Sequence, residues 1–236
     1  LAVGTPVDPT PPVARDALTA AADAPGYPAA HGTPELRDAV VSWCARRLGA
    51  TGLDPAAVAP AMGTKELIAW LPAVLGLGPR SVVVHPELAY PTYDISARLV
   101  GATPVRADAT TALGPGRVDL MWVNSPANPH GRILPVEHLA KTVTFARERG
   151  AIVASDECYS AFGWEGRPVS ILDPEVNGGS LDGILAVHSL SKQSNMAGYR
   201  AGFAVGDPDL IARMVEVRRH AGDQLTRRYP PGTPSG

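Results

Sequence analysis

Five short apolar runs recur along the chain: "SVVV" at residues 81–84, "LMWV" at 120–123, "AIVAS" at 151–155, "ILAVH" at 184–188 and "AGFAV" at 201–205. None alternates apolar with polar positions as a strand with one wet face does, so each reads as a strand buried on both faces. Longer segments of helical character separate them, at residues 33–49, 64–76, 92–101, 135–150 and 208–222. Several open on Thr or Pro and stop at Gly, residues that helix ends favour. This alternation predicts an α/β fold, a mostly parallel sheet flanked by helices. No internal repeat is present, and the last stretch, "RRYPPGTPSG", reads as an unstructured end.

In open α/β sheets ligands bind beyond the carboxyl ends of the strands. "LMWV" runs into "NSPANPHG", "AIVAS" into "DECY" and "ILAVH" into "SLSK", so three polar clusters are expected on one rim of the sheet.

Composition narrows the partners. The 236 residues are 45% apolar and 19% charged, enough for one large domain or a domain with part of another, and unlike a disordered chain. With 21 basic against 23 acidic side chains, no field favours nucleic acid or an anionic membrane, and small molecules are the expected partners. Cys44 and Cys158 stand in no disulfide framework or metal-ligand spacing, and the six histidines form none, so no metal is expected and a reducing cytoplasm fits. No run is long enough for a membrane span, and "LAVGTPVDPTPP" has no signal-peptide pattern. Lacking an initiating Met, the start reads as the inside of a longer sequence.

Taken singly, each polar cluster has an ordinary use. Asn124 and Asn128 are turn residues among prolines, Asp156 and Glu157 suit a helix N-cap, and Lys192 and Arg200 suit a solvated surface. Their joint occurrence in order at strand ends is more specific. "NSPANPHGR", "DECYSAFGW" and "SLSKQSNMAGYRAGF" together resemble the class I/II aminotransferases of fold type I, which use pyridoxal 5′-phosphate (PLP). Within that family, "VGTPVDPTP" and "HPELAYPTYD" look most like the N-succinyldiaminopimelate aminotransferases of lysine biosynthesis.

The resemblance implies a role for each matching residue. Lys192 carries the cofactor as an imine and then shuttles a proton; a lysine base must become neutral near pH 7, which burial and nearby cations favour. Asp156 keeps the pyridine nitrogen protonated, while Asn128 and Tyr159 address the ring's phenolic oxygen. If a helical turn starts at Asp156, Tyr159 shares its face. Tyr90 stacks on the ring, with Tyr93 as the competing candidate. Gly63, Thr64 and the amide of Lys65, at a loop entering a helix, bind the phosphate together with Ser189, Ser191 and the planar fork of Arg200. Tyr27 reaches the phosphate of a neighbouring subunit, implying a homodimer with shared sites, and the Gly4 amide and Asn128 meet the substrate carboxylate.

Two departures accompany the match. His130 replaces the usual Thr of the NPTG turn, which implies a local change of loop packing. The family's carboxylate-clamping arginine, carried by a small C-terminal domain, has no counterpart before Gly236; Arg227 and Arg228 lack the spacing to replace it. The expected division is therefore an N-terminal segment at 1–26, a PLP-binding large domain at 27–207, and the start of a truncated small domain with a disordered tail at 208–236. The expected activity is transfer of an amino group between glutamate and a keto acid. The alternatives are another Cα-carbanion reaction such as C–S lysis, or a fragment that binds PLP with little activity.

Overall fold

The computed structural model describes residues 4–220; the expected tail, Arg227 and Arg228 lie outside the described residues. Helices α1 (Pro12–Ala20) and α2 (Pro34–Leu48) precede β1 (Val58–Ala61) and α3 (Thr64–Val74). Then follow β2 (Val82–His85), α4 (Thr92–Leu99), β3 (Thr103–Arg106), β4 (Leu120–Asn124), α5 (Val136–Arg147) and β5 (Ile152–Asp156). The described part closes with α6 (Pro174–Asn177), β6 (Ile184–Ser189), α7 (Leu190–Gln193), β7 (Gly202–Gly206) and α8 (Pro208–His220). No described helix is long and apolar enough to cross a membrane.

The seven strands form one sheet in the order β1-β7-β6-β5-β4-β2-β3. All five strands expected from the apolar runs are present, and the sheet is mostly parallel with one reversal. β7 runs antiparallel to both of its neighbours, β6 and β1. The reversal follows from connection length. Residues 190–201, between β6 and β7, hold only the four-residue α7 and a short 3-10 turn, too little helix for a parallel crossover over the sheet. The two edge strands, β1 and β3, were not anticipated from the sequence.

Both faces of the sheet are buried, as uninterrupted apolar strands require. Along β4, Leu120 and Trp122 face α3, α4 and α8, while Met121 and Val123 face α2 and α5. β6 alternates likewise, with Leu185 and Val187 on the first face and Ile184 and Ala186 on the second. Helix ends obey their local chemistry. Thr33 caps α2 by accepting from the Leu36 amide at 3.2 Å, and Gly49 ends it in the left-handed region at φ 77°. α8 packs Leu210, Ile211 and Met214 onto the sheet, and its buried Arg218 donates to the Pro60 carbonyl of β1 and to Glu66 of α3, at 3.1 Å each.

Candidate active site

The reversal of β7 builds the site. Because the chain reaches the rim along β6 and leaves it along β7, Lys192, just after β6, and Arg200, just before β7, end up on the same rim. β1 runs parallel to the remaining strands, so its carboxyl end points the same way, and Ala61 pairs with Gly202 at the start of β7. The turn into α3 is thereby brought against Arg200.

A cavity of about 380 Å³ opens there, within the size range of small-molecule sites. Eleven expected residues line it: Gly4, Thr64, Lys65, Tyr90, Asn128, Asp156, Tyr159, Ser189, Ser191, Lys192 and Arg200. Gly63 lies behind the lining and Tyr27 lies outside it, 86% exposed on the surface.

Asp156 is held firmly. Its Oδ2 accepts from the Tyr93 hydroxyl at 2.7 Å and its Oδ1 from the Cys158 amide at 3.1 Å. Tyr93 itself is fully buried, stacked on Trp122 with ring centroids 5.0 Å apart. Burial first, and the neighbouring Asp156 second, push its phenol well above the usual range, so it stays a donor. Of the two competing tyrosines, Tyr90 lines the cavity, while Tyr93 supports the carboxylate from below.

Tyr159 reaches the cavity by another route than a helix. Residues 158–161 form successive turns after β5, and burial raises the Tyr159 phenol above its ordinary range. Asn128 is delivered by Asn124, whose amide donates to the carbonyls of Asp156 at 2.9 Å and Pro126 at 3.2 Å and whose oxygen accepts from the Asn128 amide at 2.7 Å. Asn124 thus ties the end of β4 to the end of β5.

Lys192 donates to the Gly4 carbonyl, and the Thr10 hydroxyl donates to the Asn195 carbonyl at 3.2 Å, so the N-terminal segment lies across the lysine turn. Ser189 caps that turn by accepting from the Ser191 amide at 3.1 Å. Arg200 sits in the left-handed region at φ 54°, unusual for a residue with a side chain, and donates to the Ala197 carbonyl at 2.8 Å. Its guanidinium fills the space where a β-carbon at position 63 would be, which together with φ 82° makes glycine the required residue there. Gly63 precedes α3 without any side-chain cap, leaving the first-turn amides for an anion.

The sequence did not single out Cys158 as more than a packing residue. Its thiol donates to the Thr64 hydroxyl at 3.2 Å, joining the β5 turn to the start of α3, and burial holds its pKa well above the usual thiol value. A thiol in that state is a packing and hydrogen-bonding group rather than a nucleophile. Among the described residues no group of three or more His, Cys, Asp or Glu is arranged to hold a metal ion.

The family model for aminotransferase class I and II matches residues 1–222. The chain belongs to this family. It is 60% identical over 222 residues to the 4-dedimethylamino-4-oxo-anhydrotetracycline transaminase OxyQ of Streptomyces rimosus, covering 94% of this chain and 62% of that protein. A probable aminotransferase of Mycobacterium tuberculosis is 59% identical, with 94% and 53% covered. An aminotransferase structure from Staphylococcus aureus superposes with a TM-score of 0.87 at 27% identity, over 97% of this chain and 63% of that one. This chain therefore spans less than two thirds of these relatives.

Class I and II aminotransferases are PLP-dependent. The pocket fits that cofactor by its own chemistry. A phosphate requires donors and positive charge, which the uncapped α3 start, the two serines and Arg200 offer. A pyridinium requires one anion, and Asp156 is the carboxylate in the lining.

Proposed function

We propose that this chain forms the cofactor-binding part of a PLP-dependent transaminase that moves an amino group from glutamate to a keto acid. The observation that carries this reading is one pocket holding a lysine amine, a buried carboxylate with two fixed donors, and an arginine packed against an uncapped helix start. When bound, the cofactor supplies an electron sink for charge developing at the substrate Cα. Lys192 would hold it covalently, and its amine, once released, would take and return the proton of the substrate Cα. Asp156 keeps the ring nitrogen protonated, Asn128 and Tyr159 donate to the phenolic oxygen, and Tyr90 covers the ring face. The amides of Thr64 and Lys65, the hydroxyls of Ser189 and Ser191, and the fork of Arg200 take the phosphate, with Gly63 leaving room for the fork. The Gly4 amide and Asn128 receive the substrate carboxylate.

Tyr27, exposed and outside the lining, suits service to the site of a second subunit, so a homodimer is part of the proposal. So are the division into residues 1–26, 27–207 and 208 onward, and a cytoplasmic setting, which the two free buried cysteines suit. Two acceptor classes have support. LL-diaminopimelate aminotransferase of Desulforudis audaxviator is 38% identical over 235 residues, with 92% of this chain and 59% of that protein covered. A structure titled as a probable N-succinyldiaminopimelate aminotransferase of Thermus thermophilus superposes with a TM-score of 0.86 at 27% identity, over 97% of this chain and 66% of that one. Both names favour a keto acid of the aminopimelate type, N-succinylated in the second only, whereas the name of the 60% relative favours a ring ketone. Adding glutamate to the PLP-loaded chain tests the activity: conversion to the pyridoxamine form supports it, and unchanged absorbance with the cofactor bound contradicts it. Offering the two acceptor classes to the pyridoxamine form then separates them.

A further inference from the structure

Directly beneath the site, on the α2 side of the sheet, lies a pair of ionisable groups that the proposed function does not use. Strand alternation puts Asp156 and Ser189 on the α3 side and their neighbours Glu157 and His188 on the other. Glu157 is 2% exposed and His188 0%. Glu157 Oε2 lies 3.3 Å from His188 Nε2, yet neither atom has a hydrogen-bond partner among the described residues. The other carboxyl oxygen is occupied: Oε1 accepts from the Ser155 hydroxyl at 2.9 Å and from the Ile171 amide at 2.8 Å. Trp43 stands edge-on to the imidazole at 5.0 Å between centroids, and Phe203 lies tilted at 5.2 Å, so the compartment is walled by rings.

We propose that Glu157 and His188 share a single proton, and that this uncharged couple is a positioning device that fixes the ends of β5 and β6 and so holds Asp156 and the Lys192 turn against the cofactor. With the imidazole's own N–H on Nδ1, a proton on Glu157 Oε2 donated to His188 Nε2 closes the contact between two atoms that otherwise face each other unsatisfied. Among the described residues, no cation acts on Glu157 or His188. The titratable groups facing the couple are Cys44 of α2, whose thiol burial pushes up to about 12, Cys158, whose thiol burial holds well above its usual value, and Asp156 at the end of β5; the serines, Trp43 and Phe203 are neutral. Two charges in so dry a place would be costly, and a lone carboxylate beside Asp156 more so. Burial accordingly raises Glu157 to about 7 and lowers His188 to about 3, both towards the neutral form.

The couple is tied to the site through the backbone. The Glu157 amide donates to the Val187 carbonyl at 2.9 Å, the residue before His188, and Asp156 pairs with Val187 in the sheet. When Glu157 loses its proton to solvent above pH 7, the new anion finds relief by shifting the end of β5 towards water, which moves Asp156. Cofactor affinity then falls.

This inference rests on the reading of Lys192 and Asp156 as cofactor-holding residues. Its test compares the full chain with Glu157→Gln, which keeps an acceptor for the Ile171 amide and stays neutral, and with Glu157→Leu, which does not accept. PLP dissociation constants are measured by absorbance from pH 6 to pH 8.5, and the native-to-Gln ratio cancels the cofactor's own ionisation. Glu157→Gln is expected to match the native chain at pH 6, and the native chain to weaken relative to it by about tenfold as pH rises through 7, the size of one unit of titration. Glu157→Leu is expected to bind weakly throughout. A ratio that stays flat or moves the other way, with PLP bound, overturns the inference and leaves the proposed function standing; failure of the native chain to bind PLP contradicts the proposed function. Infrared spectra of the native chain give a test that needs no variant. The inference requires a protonated carboxyl band at pH 6 that vanishes through pH 7, and its absence at pH 6 overturns the couple.

Discussion

The Tyr93 hydroxyl donates to Asp156 Oδ2 at 2.7 Å from beneath the sheet's rim, and it is this bond, with the Cys158 amide on Oδ1, that fixes where the carboxylate points. A tyrosine proposed to compete for the cofactor face is instead a support for the anion below it.

Tyr93→Phe keeps the ring on Trp122 and removes one donor from a buried carboxylate. The expected loss is about 2 kcal/mol of folding stability by urea denaturation, the usual worth of a hydrogen bond to an ionised group. PLP affinity should fall as well. Unchanged values for both would mean that the carboxylate is held without Tyr93.

Gly63→Ala places a methyl inside the space of the Arg200 guanidinium at a backbone angle of φ 82°. Backbone strain of this kind costs about 1–3 kcal/mol, and the displaced arginine adds to it. Gly52→Ala is the control, because Gly52 has φ 75° and open space around it. PLP affinity is expected to drop at least about tenfold, or 1.4 kcal/mol, for the first and to hold for the second. Equal affinities would remove Arg200 from the phosphate site.

Stability should respond to pH from the acid range up to neutrality through both members of the couple. His188 stays neutral in the fold down to about 3 against an ordinary 6.5, so its contribution is present above 6.5 and is lost as pH falls through about 3. Glu157 keeps its proton up to about 7 against an ordinary 4.5, so its contribution is complete below 4.5 and is lost as pH rises through about 7. Thermal melting across pH is expected to show a Glu157-dependent decline from about pH 4.5 through about 7 that Glu157→Gln abolishes. Persistence of that decline in the variant would assign it to another group.

How much of this was legible depended on where prolines fell. Apolar runs announced the five inner strands, but β1 contains Pro60 and β3 contains Pro104, and a proline argues against a strand reading. Both turn out to be edge strands, where a missing amide is tolerated. The reversal of β7 was hidden for another reason: its apolar run carries no mark of direction, and only the shortness of residues 190–201 betrays it. Lys192, Asp156 and Arg200 were readable because they sit in a spaced motif at strand ends. Tyr93, Asn124 and Cys158 were not readable as supports, since each acts through a contact with a residue distant in sequence or on another strand.

The central claim, that Lys192 carries the cofactor, is tested most directly by borohydride reduction of the PLP-treated chain followed by peptide mapping. The chain has three lysines, Lys65, Lys141 and Lys192, and Lys65 shares the pocket lining, so the result is discriminating. The account predicts one equivalent of label on the peptide containing Lys192 and none after Lys192→Ala. Label on Lys65 or Lys141 instead, or equal label in the variant, would contradict it.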